Sequence, residues 1–174
     1  MTDKIGRVDF EDLELTNKPQ SKILAGELHF VQLEKKDQAL LIKKKYLSTE
    51  QPDFHLSIQD SISSNDTNAN GITGRHLLAK KMDTQDTTPF YISAIPKKPY
   101  SKVTFYCSSD DKNPSIHAGL IWYKDRDGNT FTLEIRETSY TGKYTAGIAG
   151  TEILKIYLRC SGMGSAFDNF ELEK

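Results

Sequence analysis

Several features that often identify a class of protein are missing from this sequence of 174 residues. It has no run of about 18 apolar residues, so we expect no membrane-spanning helix. Its start, MTDKIGRVDF, lacks the apolar stretch of a secretory signal. Charge of one sign is not in excess either, because 23 basic and 24 acidic residues give a formal net charge of -1. This balance argues against nucleic acid and anionic lipid as partners.

Cysteine and the common catalytic motifs are also scarce. The two cysteines, Cys107 and Cys160, are compatible with one disulfide or with two thiols, and their number does not decide the redox compartment. Both occur at apolar positions of strand-like segments, which predicts reduced, buried thiols. The four histidines lack the spacing of a zinc site, and no serine lies in a G-x-S-x-G elbow. We therefore expect a protein that is not an enzyme.

Short strand-like segments dominate what is present. From residue 100 onward, five segments are rich in β-branched and aromatic residues, which is typical of strands. They read KVTFYCS, AGLIWYK, TFTLEIRE, EILKIYLRCS and AFDNFELE. Alternation places Phe131, Leu133 and Ile135 on one side of the third segment. The same rule places Leu154 and Ile156 on the inner side of the fourth.

A polar hairpin is predicted between the second and third of these segments. The stretch KDRDGN contains the Asp-Gly signal of a tight turn, in which Gly128 adopts a positive φ. Asp125, Asp127 and Asn129 also resemble the opening of a calcium loop. However, the glycine comes two positions too early and the closing glutamate is missing, which favours the hairpin.

The first hundred residues contain further runs of strand length, with one ambiguous stretch. QLEKKDQALLIKKKYL can form one or two helical turns, because it is rich in good helix formers. We predict a strand in its later half. About ten short strands separated by turns predict an all-β fold, namely a two-sheet antiparallel jelly-roll sandwich. The length suits a single β-sandwich domain over residues 1–174.

Several segments resemble the jelly-roll sandwiches of carbohydrate-binding modules and galactose-binding-like domains. These are VDFEDLEL, PYSKVTFYCSS, YKDRDGNT and SAFDNFEL. Phe10 and Glu11 occupy the place of an aromatic–acid pair in the first strand of such modules, and Phe167 to Phe170 occupy the place of their characteristic ending. The resemblance is one of pattern and extends over nearly the whole chain. It implies a non-catalytic binding role and an extracellular location.

Asp168 is a lone acid among the apolar residues of the last segment. Alternation places it on the same side as Phe170 and Leu172, toward the core. The resemblance implies a structural calcium ion held between an early and a late acid. Asp168 would then be one ligand, with Glu11 or Asp12 as its partner. The alternative is that backbone amides or a basic side chain satisfy the Asp168 carboxylate.

The polar side of the C-terminal segments carries aromatic and planar hydrogen-bonding side chains that suit sugar recognition. The predicted ligand-binding residues are Tyr106, Glu134, Arg136, Tyr157 and Arg159. The alternative is a solvated face with cross-strand Glu–Arg pairs. We expect a carbohydrate-binding module whose partner is a glycan. The competing predictions are a structural or protein-interaction domain of a larger assembly or toxin, and a small glycoside hydrolase.

Overall fold

The computed structural model describes residues 5–16, 18, 20–51, 53–60, 72–82, 88–109, 118–136, 142–160 and 164–174. The strands are β1 (Ile5–Val8), β2 (Lys22–Ala25), β3 (Leu28–Gln32), β4 (Phe54–Asp60), β5 (Arg75–Lys81), β6 (Phe90–Pro96), β7 (Lys102–Ser109), β8 (Gly119–Lys124), β9 (Thr130–Ile135), β10 (Lys143–Gly147), β11 (Glu152–Cys160) and β12 (Ser165–Glu173). One helix, α1 (Lys35–Lys43), lies between β3 and β4 in the described chain.

The strands form two antiparallel sheets. Sheet A has the order β10-β7-β12-β5-β4, with β1 also paired to β12, and sheet B has the order β2-β3-β6-β11-β8-β9. From β5 onward the chain crosses between the sheets at most connections, as in a jelly roll. The predicted all-β, two-sheet antiparallel jelly-roll sandwich is confirmed.

The core between the sheets is centred on phenylalanine rings. Phe170 on β12 lies 5.2 Å from Phe105 on β7 and 5.4 Å from Phe30 on β3, measured between ring centroids. Phe10 lies 5.5 Å from Phe30, so the segment after β1 joins the same cluster. Phe30 belongs to sheet B and the other strand residues to sheet A. The last strand therefore connects the two halves of the core.

Helix α1 replaces the strand that we predicted for the later half of QLEKKDQALLIKKKYL. The helix covers the outer face of sheet B, and Leu41 is completely buried there. The small cluster around it consists of Leu33, Leu41, Leu47, Tyr91, Leu120 and Tyr157. The strand prediction was wrong because this stretch buries one stripe of side chains and is otherwise exposed, as a surface helix does. No helix in the described residues is both long and apolar enough to span a bilayer.

A β-bulge in β12 changes the side on which Asp168 lies. Asp168 is paired with Tyr106 and Glu171 with Thr104, so two residues of β12 oppose one residue of β7. Asn169 occupies the bulge with φ of 51°. Because of this extra residue, Asp168 projects to the outer side of sheet A with Tyr106. The prediction that it shares a side with Phe170 was therefore wrong.

Both cysteines are thiols on the inner sides of their strands. Cys160 on β11 is completely buried, and Cys107 on β7 is half-buried. Burial raises the pKa of the Cys160 thiol well above its usual value, and the charge of a Cys107 thiolate raises it further. A thiol with such a pKa is a poor nucleophile at neutral pH.

Candidate functional site

The outer face of sheet B is not the open binding surface that strand alternation predicted. Tyr157 does project outward, but α1 covers it and the side chain is 0% exposed. Its hydroxyl donates to Asp37 of α1 over 2.9 Å, and Lys155 Nζ lies 2.9 Å from the same carboxylate. Tyr157 was therefore wrongly predicted to be exposed, because the sequence does not say which element packs on a face.

Tyr106 is separated from the other four predicted ligand-binding residues. It lies on β7 in sheet A, whereas Glu134 and Arg159 lie on strands of sheet B and Arg136 directly follows β9 of that sheet. Lys143 Nζ lies 5.9 Å from the centroid of the Tyr106 ring. The prediction that all five residues share one face was therefore wrong. Strand alternation identifies outward residues but does not assign strands to sheets.

Glu134, Arg136 and Arg159 do lie on the same side of sheet B. Glu134 accepts hydrogen bonds from Tyr46, over 2.8 Å, and from the Arg136 guanidinium. Arg159 on β11 is directly paired with Tyr91 on β6. The aromatic residues that accompany these three predicted residues are thus Tyr46 and Tyr91, in place of Tyr106 and Tyr157.

Tyr46, Tyr91 and Arg159 border a cavity of about 380 Å³, which we call the α1–β6 cavity. It is lined by residues 45–51, Thr88, Pro89, Tyr91 and Arg159. The volume lies in the range of small-molecule sites, which begins at about 300 Å³. Apolar ring surface, hydroxyls, an amide and charged groups of both signs are all represented in the lining. The cavity therefore has the composition of a site for a polar ligand.

The C-terminus of α1 positions Tyr46 at this cavity. Tyr46 N–H donates to the Leu41 carbonyl over 2.8 Å, and Lys45 N–H donates to the Ile42 carbonyl over 3.0 Å. This pair of bonds, with Lys45 at φ of 68°, is a Schellman motif. The left-handed residue turns the chain back, so that Tyr46 packs against the cluster around Leu41.

Gln51 fixes the other end of the same segment. Its side-chain amide donates to the Tyr91 carbonyl over 2.7 Å and accepts from Tyr91 N–H over 3.0 Å. Gln51 N–H in turn donates to Gln38 of α1 over 3.1 Å. The amide thus imitates a neighbouring strand along the start of β6. Residues 45–51 are held at both ends, so the cavity is pre-formed.

The two tyrosines at the cavity keep their protons at neutral pH. Burial raises the pKa of Tyr91 to about 12, although the positive charge of Arg159 opposes this shift. Burial also raises the pKa of Tyr46, and its hydrogen bond to Glu134 adds to the effect. Both phenols are therefore hydrogen-bond donors under ordinary conditions.

Sequence reasoning missed both of these tyrosines, although one of them had a visible signal. Within PFYISAI, Phe90, Ile92 and Ala94 are fully buried in the core. Period-two alternation therefore places Tyr91 on the outer side of β6. Tyr46 had no such signal, because its position depends on the turn at the end of α1 and on contact with a distant strand.

Asp168 occupies a second candidate site, at the outer side of the β12 bulge. The carboxylate is completely buried and accepts from Thr73 N–H over 3.0 Å and from Asn169 N–H over 2.8 Å. Burial raises the pKa of Asp168 to about 7, the two backbone donors oppose the shift, and the charges of Glu11 and Asp9 add to it. Negative charge is thus concentrated where β1 ends.

The predicted calcium ligands are only partly brought together. Glu11 acts electrostatically on Asp168 and accepts from Arg75 N–H over 3.0 Å. Asp12 is exposed and lines a separate depression beside Arg7. Among the described residues, no group of three or more His, Cys, Asp or Glu side chains is arranged to hold a metal ion. A cation here would therefore need backbone carbonyls or water to complete its oxygen ligands.

The stretch KDRDGN forms the predicted hairpin. β8 and β9 pair antiparallel on either side of it, and Gly128 has φ of 84°. The Asp125 carboxylate accepts from the N–H groups of Asp127 and Asn129, each over 2.9 Å. This carboxylate therefore organises the turn, in agreement with the preference for a hairpin over a calcium loop.

The fold defines the chain as an all-β, two-sheet sandwich protein. No known family profile matches the chain, and neither does any curated protein. Among solved structures, it is similar to the enzymatically active domain of tailspike protein 4 from bacteriophage CBA120, with a TM-score of 0.34 and 11% sequence identity. The similarity covers 71% of this chain and 18% of the tailspike chain.

Proposed function

We propose that the protein is a non-catalytic carbohydrate-binding module whose ligand site is the α1–β6 cavity. The observation that carries this proposal is the joint presence of Tyr46, Tyr91 and Arg159 around a pre-formed cavity of about 380 Å³. Three of the residues expected to bind sugar, Glu134, Arg136 and Arg159, lie at or beside this cavity.

The chemistry of the lining suits a sugar ring. An aromatic side chain packs on the C–H face of a pyranose, and placed polar groups bind its hydroxyls. Ser48, Thr49 and Thr88 add small hydroxyls to the lining. Because residues 45–51 are already anchored, little conformational entropy is lost when a ligand binds.

The carboxylates at the cavity favour binding over cleavage. Glycoside hydrolysis uses a carboxylic acid and a carboxylate on opposite sides of the scissile bond. Glu134 accepts hydrogen bonds from both Tyr46 and Arg136, so its carboxylate is already engaged in structural contacts. Glu50, which lines the cavity, is exposed to solvent. Neither has the apolar setting that tunes a catalytic acid.

A glycan array containing neutral and acidic saccharides tests the proposed function. We expect binding to at least one saccharide, and we expect Tyr46→Ala to lose it. Tyr106→Ala is the matched control, because this tyrosine lies on the other sheet. Thermal melting of each variant shows whether the fold is retained. An array without binding overturns the proposal, and loss of binding only in Tyr106→Ala moves the site to sheet A.

We also propose that a structural calcium ion binds at the β12 bulge. Glu11 and Asp168 would supply side-chain oxygens, and backbone carbonyls or water would complete the set of ligands. Calcium takes oxygen ligands and would neutralise the buried negative charge. Calcium should therefore raise the melting temperature, and a chelator should lower it. Asp168→Asn is the reference variant, and its melting temperature should not respond to calcium. Identical melting curves of the parent protein in calcium and in chelator would overturn this proposal.

Exposed leucines on the edges of sheet B favour a second candidate function, a protein-interaction domain. Leu24 on β2 is 56% exposed and Leu133 on β9 is 48% exposed, and both strands lie at sheet edges. An apolar edge strand is a surface on which another chain can pair. Concentration-dependent sedimentation that Leu133→Lys abolishes would support this candidate, whereas a monomer at all concentrations argues against self-association.

A further inference from the structure

We propose that the α1–β6 cavity selects acidic saccharides, with the sugar carboxylate bound between Arg159 and Tyr91. This inference rests on the proposed function and deepens it, because it names the chemical class of the ligand. A uronic or sialic acid residue combines the required features, namely a ring with C–H faces, several hydroxyls and one carboxylate.

The charge of the lining supports an anionic ligand. Lys45 and Arg159 are cations among the residues that line the cavity, and Glu50 is an anion. The carboxylate of Glu134 beside the cavity is matched by the Arg136 guanidinium. The formal balance of the lining is therefore positive, although the whole chain has a formal net charge of -1.

The geometry of Arg159 and Tyr91 suits a carboxylate in particular. The two residues are direct cross-strand partners on β11 and β6, so their side chains leave the sheet side by side. A guanidinium has donors and no acceptor, and it matches the two oxygens of a carboxylate. The neighbouring Tyr91 is almost fully buried and lines the same cavity, and burial raises its pKa to about 12, so it places no negative charge beside a ligand carboxylate. Because both side chains belong to paired strands, they are rigidly placed at the cavity.

Affinity measurements with matched saccharide pairs test the inference. The probes are 3′-sialyllactose against lactose, and trigalacturonate against its methyl ester, together with any saccharide that binds on the array. We expect at least tenfold tighter binding of the acidic member of a pair. Arg159→Gln should remove this preference, and Arg7→Gln is the control, because that arginine lies on β1 in the other sheet and pairs with Glu171. Added salt should weaken the binding of the acidic probe, because charges near the surface are screened.

The outcomes separate this inference from the proposed function. Equal binding of acidic and neutral members, or binding of neutral saccharides alone, overturns the acidic preference and leaves the carbohydrate-binding proposal standing. A preference that survives in Arg159→Gln, or that is lost equally in Arg7→Gln, also overturns it. If no saccharide binds in either assay, both proposals fall. Melting curves of the two arginine variants show that any loss of binding occurs in folded protein.

Discussion

Asp37 is the residue that fixes α1 to sheet B. Only 2% of its side chain is exposed, and the carboxylate contacts both the ammonium group of Lys155 and the hydroxyl of Tyr157. A buried carboxylate is tolerated when charge and hydrogen bonds compensate it, as they do here. Burial of the ring raises the pKa of Tyr157, and the hydrogen bond to Asp37 raises it further, so this phenol also remains a donor.

Substitution of Tyr157 should therefore destabilise the protein. We expect Tyr157→Phe to lower the free energy of unfolding by about 1.5–3 kcal/mol, because a hydrogen bond to a charged group is lost. Tyr157→Ala should cost about 3–5 kcal/mol, since it also leaves a cavity under α1. Denaturant unfolding measures both values. Tyr106→Ala is the control, and an equal loss in that variant would contradict the burial assigned to Tyr157.

Asp168 should make stability depend on pH. Its pKa is about 7 in the folded protein and near 3.8 when unfolded, so the folded state holds the proton more tightly. The resulting stabilisation is complete below about pH 4 and is lost as the pH rises to about 7. In chelator, the free energy of unfolding should fall over this interval, by about 1.4 kcal/mol for each unit of pKa difference.

Asp168→Asn should flatten this part of the pH profile, because the amide does not titrate. Asp12→Asn serves as the matched control, since Asp12 is exposed. Denaturant titrations at a series of pH values in chelator measure the slope. If Asp168→Asn keeps the slope of the parent protein, another group carries the pH dependence.

At the scale of elements, the turn after α1 does the most to build the candidate site. The Schellman motif places Tyr46 at the cavity. Its left-handed position is usually occupied by glycine, but here it is occupied by Lys45, with φ of 68°. A residue with a Cβ atom is strained in this conformation by about 1–2 kcal/mol. The same turn satisfies the carbonyl groups of Leu41 and Ile42, which are otherwise left over at the end of a helix.

Lys45→Gly should therefore stabilise the protein. Glycine relieves the strain of the left-handed conformation, but it also has more backbone entropy in the unfolded state, which offsets part of this gain. The net effect should raise the free energy of unfolding by about 0.5–1 kcal/mol. Lys44→Gly is the control, because Lys44 has φ of -84° and offers no strain to relieve. Chemical denaturation compares the two variants. Equal destabilisation of both would show that Lys45 is not held in the left-handed conformation.

At the scale of the whole molecule, the two cysteines report on the core between the sheets. Cys160 belongs to sheet B and is 0% exposed, whereas Cys107 belongs to sheet A and is half-buried. A maleimide can reach Cys160 only when the sandwich opens. We expect Cys107 to be labelled first and Cys160 to be labelled at the rate set by global unfolding, as mass spectrometry of peptides can measure.

In the variant Cys107→Ala, Cys160 is the remaining thiol, so all labelling of this variant is assigned to Cys160. Destabilising conditions should then accelerate labelling of Cys160 in proportion to the unfolded fraction. Similar labelling rates for the two thiols in native protein would contradict the burial of Cys160. An unreduced protein whose mass is lower by two hydrogens would show a disulfide instead.

The sequence by itself determined most of the strands, the antiparallel hairpin at Asp125 and the burial of Cys160. These features depend on short-range rules, namely β-propensity, period-two alternation and turn chemistry. Where a strand is regular, alternation also identified buried residues such as Ile135 and Ile156. It failed at Leu133, which is exposed because β9 lies at an edge of sheet B.

Only the tertiary structure decided which outward residues belong together. It assigned Tyr106 to sheet A, covered Tyr157 with α1, and brought Tyr46 to Glu134 across 88 positions of sequence. It also decided the side on which Asp168 lies, because a bulge interrupts the alternation of β12. The physical reason is that the exposure of a side chain depends on which element packs against its face. Such packing is a long-range property that local periodicity does not encode.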